Sequence, residues 1–166
     1  MRRVFLMLVP GLLFGGWTEF RHGAFEVLSE DSEKEARETL NYLEQLRNAV
    51  ATTLGQPELR PIWPVRVVVT KNKRARVQTE LRLARDAYVA NISKVQPDFA
   101  ASATQTILEA FPGQIPPALE RGLITVFSTL DVDGTRVTLG LPPAQRDRDW
   151  SRAHMFTVHP DYSGKV

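Results

Sequence analysis

Apolar and polar positions change period several times along the chain. From 20 to 29 the alternation is loose, with Phe25 and Val27 on one side and Glu26 on the other, which predicts a strand over 24–28. Ser32-Glu33-Lys34-Glu35 then fits a capping box, in which the Ser side chain covers a free backbone N–H and the Glu three residues on reaches back. Leu40, Leu43, Leu46, Val50 and Leu54 follow on one helical face, and Gly55 and Pro57 supply a stop, so a helix is expected over 33–54. The β-branched run Val65-Arg66-Val67-Val68-Val69-Thr70 lies between Pro64 and the polar Lys71-Asn72-Lys73 and predicts a central strand.

A further strand is expected over 86–92, carried by Tyr88, Val89 and Ile92. Pro97 stands where a helix can begin, and helix formers run from Phe99 to Phe111 before Pro112-Gly113. Pro116-Pro117 opens another helix to about 129, with Leu119, Leu123, Val126, Phe127 and Leu130 as its apolar stripe. Asp133-Gly134 between Leu130-Asp131-Val132 and Val137-Thr138-Leu139 is a hairpin signal. Pro142-Pro143 starts a last helix to about 156, and 159–166 reads as loop. This order predicts an α+β domain, a small mixed sheet with helices packed on it.

The first sixteen residues stand apart. Arg2 and Arg3 precede the apolar run 4–14, the layout of a secretory signal or N-terminal anchor over 1–16, with a single domain over 17–166. The run is shorter than the roughly 20 apolar residues of a membrane span. Gly15 and Gly16 suit a cleavage site, whereas Phe14 and Trp17 do not, so cleavage and retention as an anchor both stay open. An exported protein, periplasmic or extracellular, is expected, with membrane contact only through 4–14. Asp161-Tyr162-Ser163-Gly164-Lys165-Val166 stops without a capping element and reads as the point where a longer protein was truncated.

Composition narrows the chemistry. At 166 residues, 43% apolar and 24% charged, the chain can bury a core. A net charge of +2 is too weak to argue for nucleic acid. The absence of cysteine excludes disulfides, thiolate metal sites and a cysteine nucleophile. The only histidines are His22, His154 and His159. His154 and His159 stand five apart among Asp147, Asp149 and Asp161, whereas helical metal ligands want a spacing of three or four. They read as surface or half-buried side chains, and His22 as a lone one.

Lys71-Asn72-Lys73-Arg74-Ala75-Arg76 lacks an aromatic to stack a base and reads as a solvated loop. No Gly-x-Ser-x-Gly elbow and no phosphate-cradling glycine loop occurs. Glu109 and Glu120 flank the 111–117 loop and could do acid–base work only if their environments split their pKa values; otherwise they are helix-surface glutamates.

One segment carries a resemblance. Ile107-Leu108-Glu109-Ala110-Phe111-Pro112-Gly113-Gln114-Ile115-Pro116-Pro117-Ala118-Leu119-Glu120-Arg121-Gly122-Leu123-Ile124-Thr125-Val126-Phe127-Ser128-Thr129-Leu130 resembles a stretch of the bacterial peptidase MA-like gluzincin metallopeptidases. In that family a His-Glu-x-x-His helix ends in an Asn-Phe-Pro-like loop, and a second helix follows with the third zinc ligand, a Glu. Zinc held by three protein ligands keeps one position for a water whose pKa it lowers. The opening strand at Trp17-Thr18-Glu19-Phe20 and Phe25-Glu26-Val27, the 33–54 helix, the 65–70 strand, the 132–139 hairpin and Asp149-Trp150 also find counterparts.

The resemblance implies a gluzincin-like fold and places the zinc window on Ala100-Ala101-Ser102-Ala103-Thr104, where neither histidine nor glutamate stands. Asp98, Gln105 and Glu109 do not restore the pattern. The ligand Glu of the second helix falls on Arg121, a permanent cation without an acceptor lone pair, and its Trp on Ala118. Glu120, one residue off, is turned about 100° away.

A site is therefore expected between 100–104 and 120–125, apolar on one side and cationic on the other. Arg121 either holds a carboxylate, such as a peptide end, or is solvated. The resulting expectation is a pseudo-peptidase with no catalytic residue, metal or cofactor, binding a peptide or protein or serving a structural role. The alternatives are an interaction part of a larger exported helical-repeat protein, and a hydrolase with a non-standard site on Glu109, Glu120 and His154.

Overall fold

The computed structural model describes residues 17–30, 32–71, 78–134, 136–142 and 148–159. The expected leader at 1–16, most of the 71–76 basic run, Asp147, and residues 160–166 of the final loop, Asp161 included, lie outside the described residues.

Strands β1 (Thr18–His22) and β2 (Phe25–Ser29) form an antiparallel hairpin, with His22 opposite Phe25. Gly23 makes the turn at φ +56°, a left-handed conformation that costs glycine little. This corrects the single strand expected over 24–28: Ala24 belongs to the turn, and β1 precedes it. A parallel crossover follows through helix α1 (Glu33–Thr53) to β3 (Val65–Val69).

The start of α1 keeps half of the expected capping box. Ser32 Oγ accepts from the Glu35 N–H at 3.3 Å, but the Ser32 N–H donates to Ser29 Oγ at 3.2 Å rather than to Glu35. The end is a Schellman motif at Gly55 (φ +63°): Gly55 N–H donates to Thr52 O at 3.1 Å and Gln56 N–H to Ala51 O at 2.8 Å. Between these ends Leu43, Leu46 and Val50 are fully buried.

The segment after β3 departs most from expectation. Strand β4 (Gln78–Leu83) lies at the sheet edge, antiparallel to β5 (Tyr88–Ile92), and β5 pairs parallel with β3. The sheet order is β1-β2-β3-β5-β4. The QTELRL sequence alternates only at Leu81 and Leu83, and with β4 at an edge only Leu81 packs against the core while Leu83 is exposed. The strand expected over 86–92 begins at Tyr88, after a bend at Asp86 and Ala87.

Helices α2 (Pro97–Leu108) and α3 (Pro117–Ser128) follow, each with proline in its first turn. α2 stops three residues short of Phe111, with Glu109 as its C-cap. Strands β6 (Asp131–Asp133) and β7 (Arg136–Thr138) form the expected hairpin, with Gly134 at φ +59°. Helix α4 (Arg148–Val158) ends two residues beyond the expected Phe156; the expected start at Pro143 is outside the described residues.

Over the described residues the molecule is thus a mixed α+β domain, a five-stranded sheet with four helices. Val65, Val67 and Val69 of β3, Phe25 and Val27 of β2, and Ala90 and Ile92 of β5 alternate onto the face that meets α1 and α2. Phe99, Ile107, Leu123, Val126 and Phe127 extend this core under α3. No described helix is long and apolar enough to cross a membrane.

Candidate functional site

The two helices expected to face each other do pack together. The window on α2 is closed: Ala100, Ala103 and Thr104 are at most 2% exposed, and the Thr104 hydroxyl donates to Ala100 O at 2.8 Å. Ser102 turns to the sheet edge, where its Oγ accepts from the Leu81 N–H at 2.8 Å.

Arg121 is largely exposed, as the solvated reading expects, and the carboxylate it holds comes from within the chain. Its Nη2 and Nε donate to Asp149 Oδ2 at 2.8 and 3.1 Å, so an internal carboxylate on α4 occupies it. The next residue shows why the helices come so close. A Cβ on Gly122 would lie 2.2 Å from the Asp149 carbonyl oxygen and 2.8 Å from Ala153 Cβ. The donor set at Ala100, Ala101, Thr104 and Arg121 does not fit zinc, since none supplies a ligand of the imidazole or carboxylate type. Among the described residues no group of three or more His, Asp or Glu side chains could hold a metal ion.

The other candidates have separate partners. Glu109 Oε2 accepts from the Tyr88 hydroxyl at 2.8 Å. Desolvation first, then the Glu109 carboxylate as acceptor and as a charge, pushes the Tyr88 phenol up to about 12, so Tyr88 stays a donor. Glu120 sits in the first turn of α3, where a negative charge suits the helix dipole. His154 lies on α4 with its ring 4.7 Å from Trp150 and against Gly140. His22 Nδ1 lies 3.0 Å from Glu44 Oε1, a pairing between β1 and α1 that 22 residues of separation hid from sequence reasoning. His159 follows the end of α4, and its backbone N–H donates to Met155 O.

A concavity lies elsewhere among the described residues. A groove of about 930 Å³ opens where the parallel strands end, at Val69 of β3 and at Ser93 to Pro97 after β5. The N-terminal half of α1 makes one wall, with Glu35, Glu38 and Tyr42. The end of α3 and the β6–β7 hairpin make the other, with Leu130, Asp131 and Asp133. Ala100 of the expected window lines it, but Arg121 does not. The Asn41 side chain fastens the hairpin to α1, its Nδ2 donating to Gly134 O at 3.0 Å. Ligands of open parallel sheets settle beyond the carboxyl ends of the strands, which is where this groove lies.

Sequence reasoning missed Tyr42 and Glu35 as site residues. Tyr42 stands outside the expected stripe of α1, and the capping box gives Glu35 a different role. Comparison with known proteins finds no family model, no curated protein and no solved structure that matches this chain.

Proposed function

We propose that this is an exported, non-catalytic domain related to the gluzincin metallopeptidases, which binds a peptide or protein instead of cutting it. The observation that carries the reading is Arg121. At the position where the resemblance calls for an acidic zinc ligand, α3 bears a cation engaged by Asp149 at 2.8 Å. The supporting frame is the α2–loop–α3 unit, in which Pro116, at the motif's Pro position, is the N-cap of the second helix. Buried Ala100 and Thr104 fill the two histidine positions.

The test is elemental analysis of purified protein together with a peptide hydrolysis assay. The expected result is no stoichiometric zinc and no chelator-sensitive cleavage. A zinc content near one equivalent overturns the reading.

A second reading, an interaction part of a larger exported protein, is favoured by one observation. Leu141, Met155 and Val158 are 49%, 43% and 48% exposed on α4 and the segment before it. Scattered exposed apolar residues are ordinary, whereas a grouped set marks a contact surface. Replacing all three with Ser leaves the monomer's folding intact and abolishes capture of the rest of the protein if this reading holds.

A further inference from the structure

Two buried polar atoms that have no hydrogen-bond partner among the described residues, Glu35 Oε2 and the Tyr42 hydroxyl, both belong to side chains that line the groove at the strand ends. Buried polar atoms are almost always paired, by protein or by something bound. Tyr42 is only 6% exposed, so bulk water does not serve it. Burial, with the Asp131 carboxylate close by, raises the Tyr42 phenol well above its ordinary value and keeps it protonated. It can therefore donate to a carbonyl oxygen.

The electrostatics point to the sign of the occupant. The groove lining carries Glu35, Glu38, Asp131 and Asp133 against Arg37 and Lys94. Arg37 is already engaged by Glu33 and lies over the Phe20 ring. Lys71 reaches Glu35 Oε1 at 3.7 Å and leaves Oε2 unmatched. Glu38 is likewise matched by Lys34 at 3.7 Å. Asp131 and Asp133 against Lys94 leave the field negative, and Val95 and Leu141 supply apolar surface for aliphatic stems.

Spacing points to its shape. Glu35 and Tyr42 are two turns apart on one face of α1, about 10 Å along the helix axis. An extended chain rises about 3.3 Å per residue, so groups three residues apart match that span.

We propose that this groove binds an extended peptide segment bearing Lys or Arg. One cationic side chain meets the Glu35 carboxylate, and a backbone carbonyl about three residues away accepts from the Tyr42 hydroxyl. Asp131 and Asp133 hold the sign of the field. This deepens the binding reading above and rests on it. The zinc and hydrolysis assay tests that reading independently, so the two can fail separately.

The experiment is fluorescence-anisotropy titration of the purified chain with three labelled hexapeptides: Lys-Ala-Ala-Lys-Ala-Ala, its Glu counterpart and an all-Ala control. The Lys peptide is expected to bind at least about tenfold more tightly than either other peptide, the size of effect one charge-assisted hydrogen bond gives. Glu35→Gln, which keeps the side-chain shape and the backbone N–H used by Ser32, should remove about that factor. Tyr42→Phe should weaken binding severalfold and leave the melting temperature unchanged or higher, because its hydroxyl has no internal partner to lose. Equal affinity for all three peptides overturns the proposal. So does binding insensitive to both variants, and so does no binding at all, which would leave ordered water as the only occupant of these atoms.

Discussion

Arg121 on α3 and Asp149 on α4 are joined through both Nε and Nη2 of the guanidinium to a single carboxylate oxygen, at 3.1 and 2.8 Å. The side chains are 65% and 22% exposed, so the pair sits in a high effective dielectric. A double-mutant cycle with Arg121→Ala and Asp149→Ala is predicted to give a coupling of about 0.5 kcal/mol. Arg121→Glu should cost more than Arg121→Ala, because it sets two carboxylates together, and should still bind no zinc. Urea denaturation and zinc titration check both; a bound zinc in the Glu variant would contradict the expectation.

The steric demand beside that pair is larger than its charge. Gly122→Ala places a methyl group 2.2 Å from the Asp149 carbonyl oxygen, on backbone that cannot swing aside. A loss of about 1–3 kcal/mol or more is predicted, the range of overpacked interiors. Thermal unfolding of the variant reads it, and an unchanged midpoint would mean that α4 is not held against α3 in this way.

Tyr88 makes stability depend on alkaline pH. Its folded pKa is raised to about 12 from an ordinary 10, so its contribution is complete below pH 10 and is lost as pH climbs toward 12. Tyr88→Phe removes the bond to Glu109 at a cost on the order of 1.5 kcal/mol at neutral pH. The difference between wild-type and variant absorbance titrations should place the missing phenolate near pH 12, not near 10. A difference centred at 10 would count against the Tyr88–Glu109 bond.

At the ends of α1, Ser32→Ala should cost about 1 kcal/mol by freeing the Glu35 N–H. Gly55→Ala should cost about 1 kcal/mol as well, since φ +63° is strained for any residue with a Cβ. Loss of helical signal at equal denaturant measures both, and a neutral Ser32→Ala would show that Ser29 Oγ compensates.

These helix ends also mark what could be read in the sequence. α1 was legible because cap, stripe and glycine stop agree within one stretch of chain. The α2–α3 pair was legible from its prolines. β1 and β4 were not: each is an edge strand with polar residues that the sheet does not bury, and the turn between β1 and β2 uses His22-Gly23 where the stronger signals are Asn-Gly and Asp-Gly. The expected site shared that fate. Arg121 could be named from the chain, but its partner stands 28 residues away and only folding brings it near. The groove was invisible for a related reason: an unpaired Tyr42 hydroxyl is a property of the folded surroundings, and no local pattern announces it.

The strand order has a consequence for how the domain assembles. Both outer strands belong to ribbons closed by short turns, β1 with β2 and β4 with β5. Such hairpins form in about 1–10 μs. β3 alone joins the two ribbons, and its pairing with β2 spans 40 residues, as Glu26 and Arg66 do. Contacts of long sequence separation must first overcome the entropy of closing the intervening loop. Insertion of β3 is therefore predicted to be the late event. In pulse-labelled hydrogen exchange the amides of Val67 and Val69 should gain protection after those of Phe20 and Val27, and the reverse order would show that the parallel seam nucleates the sheet.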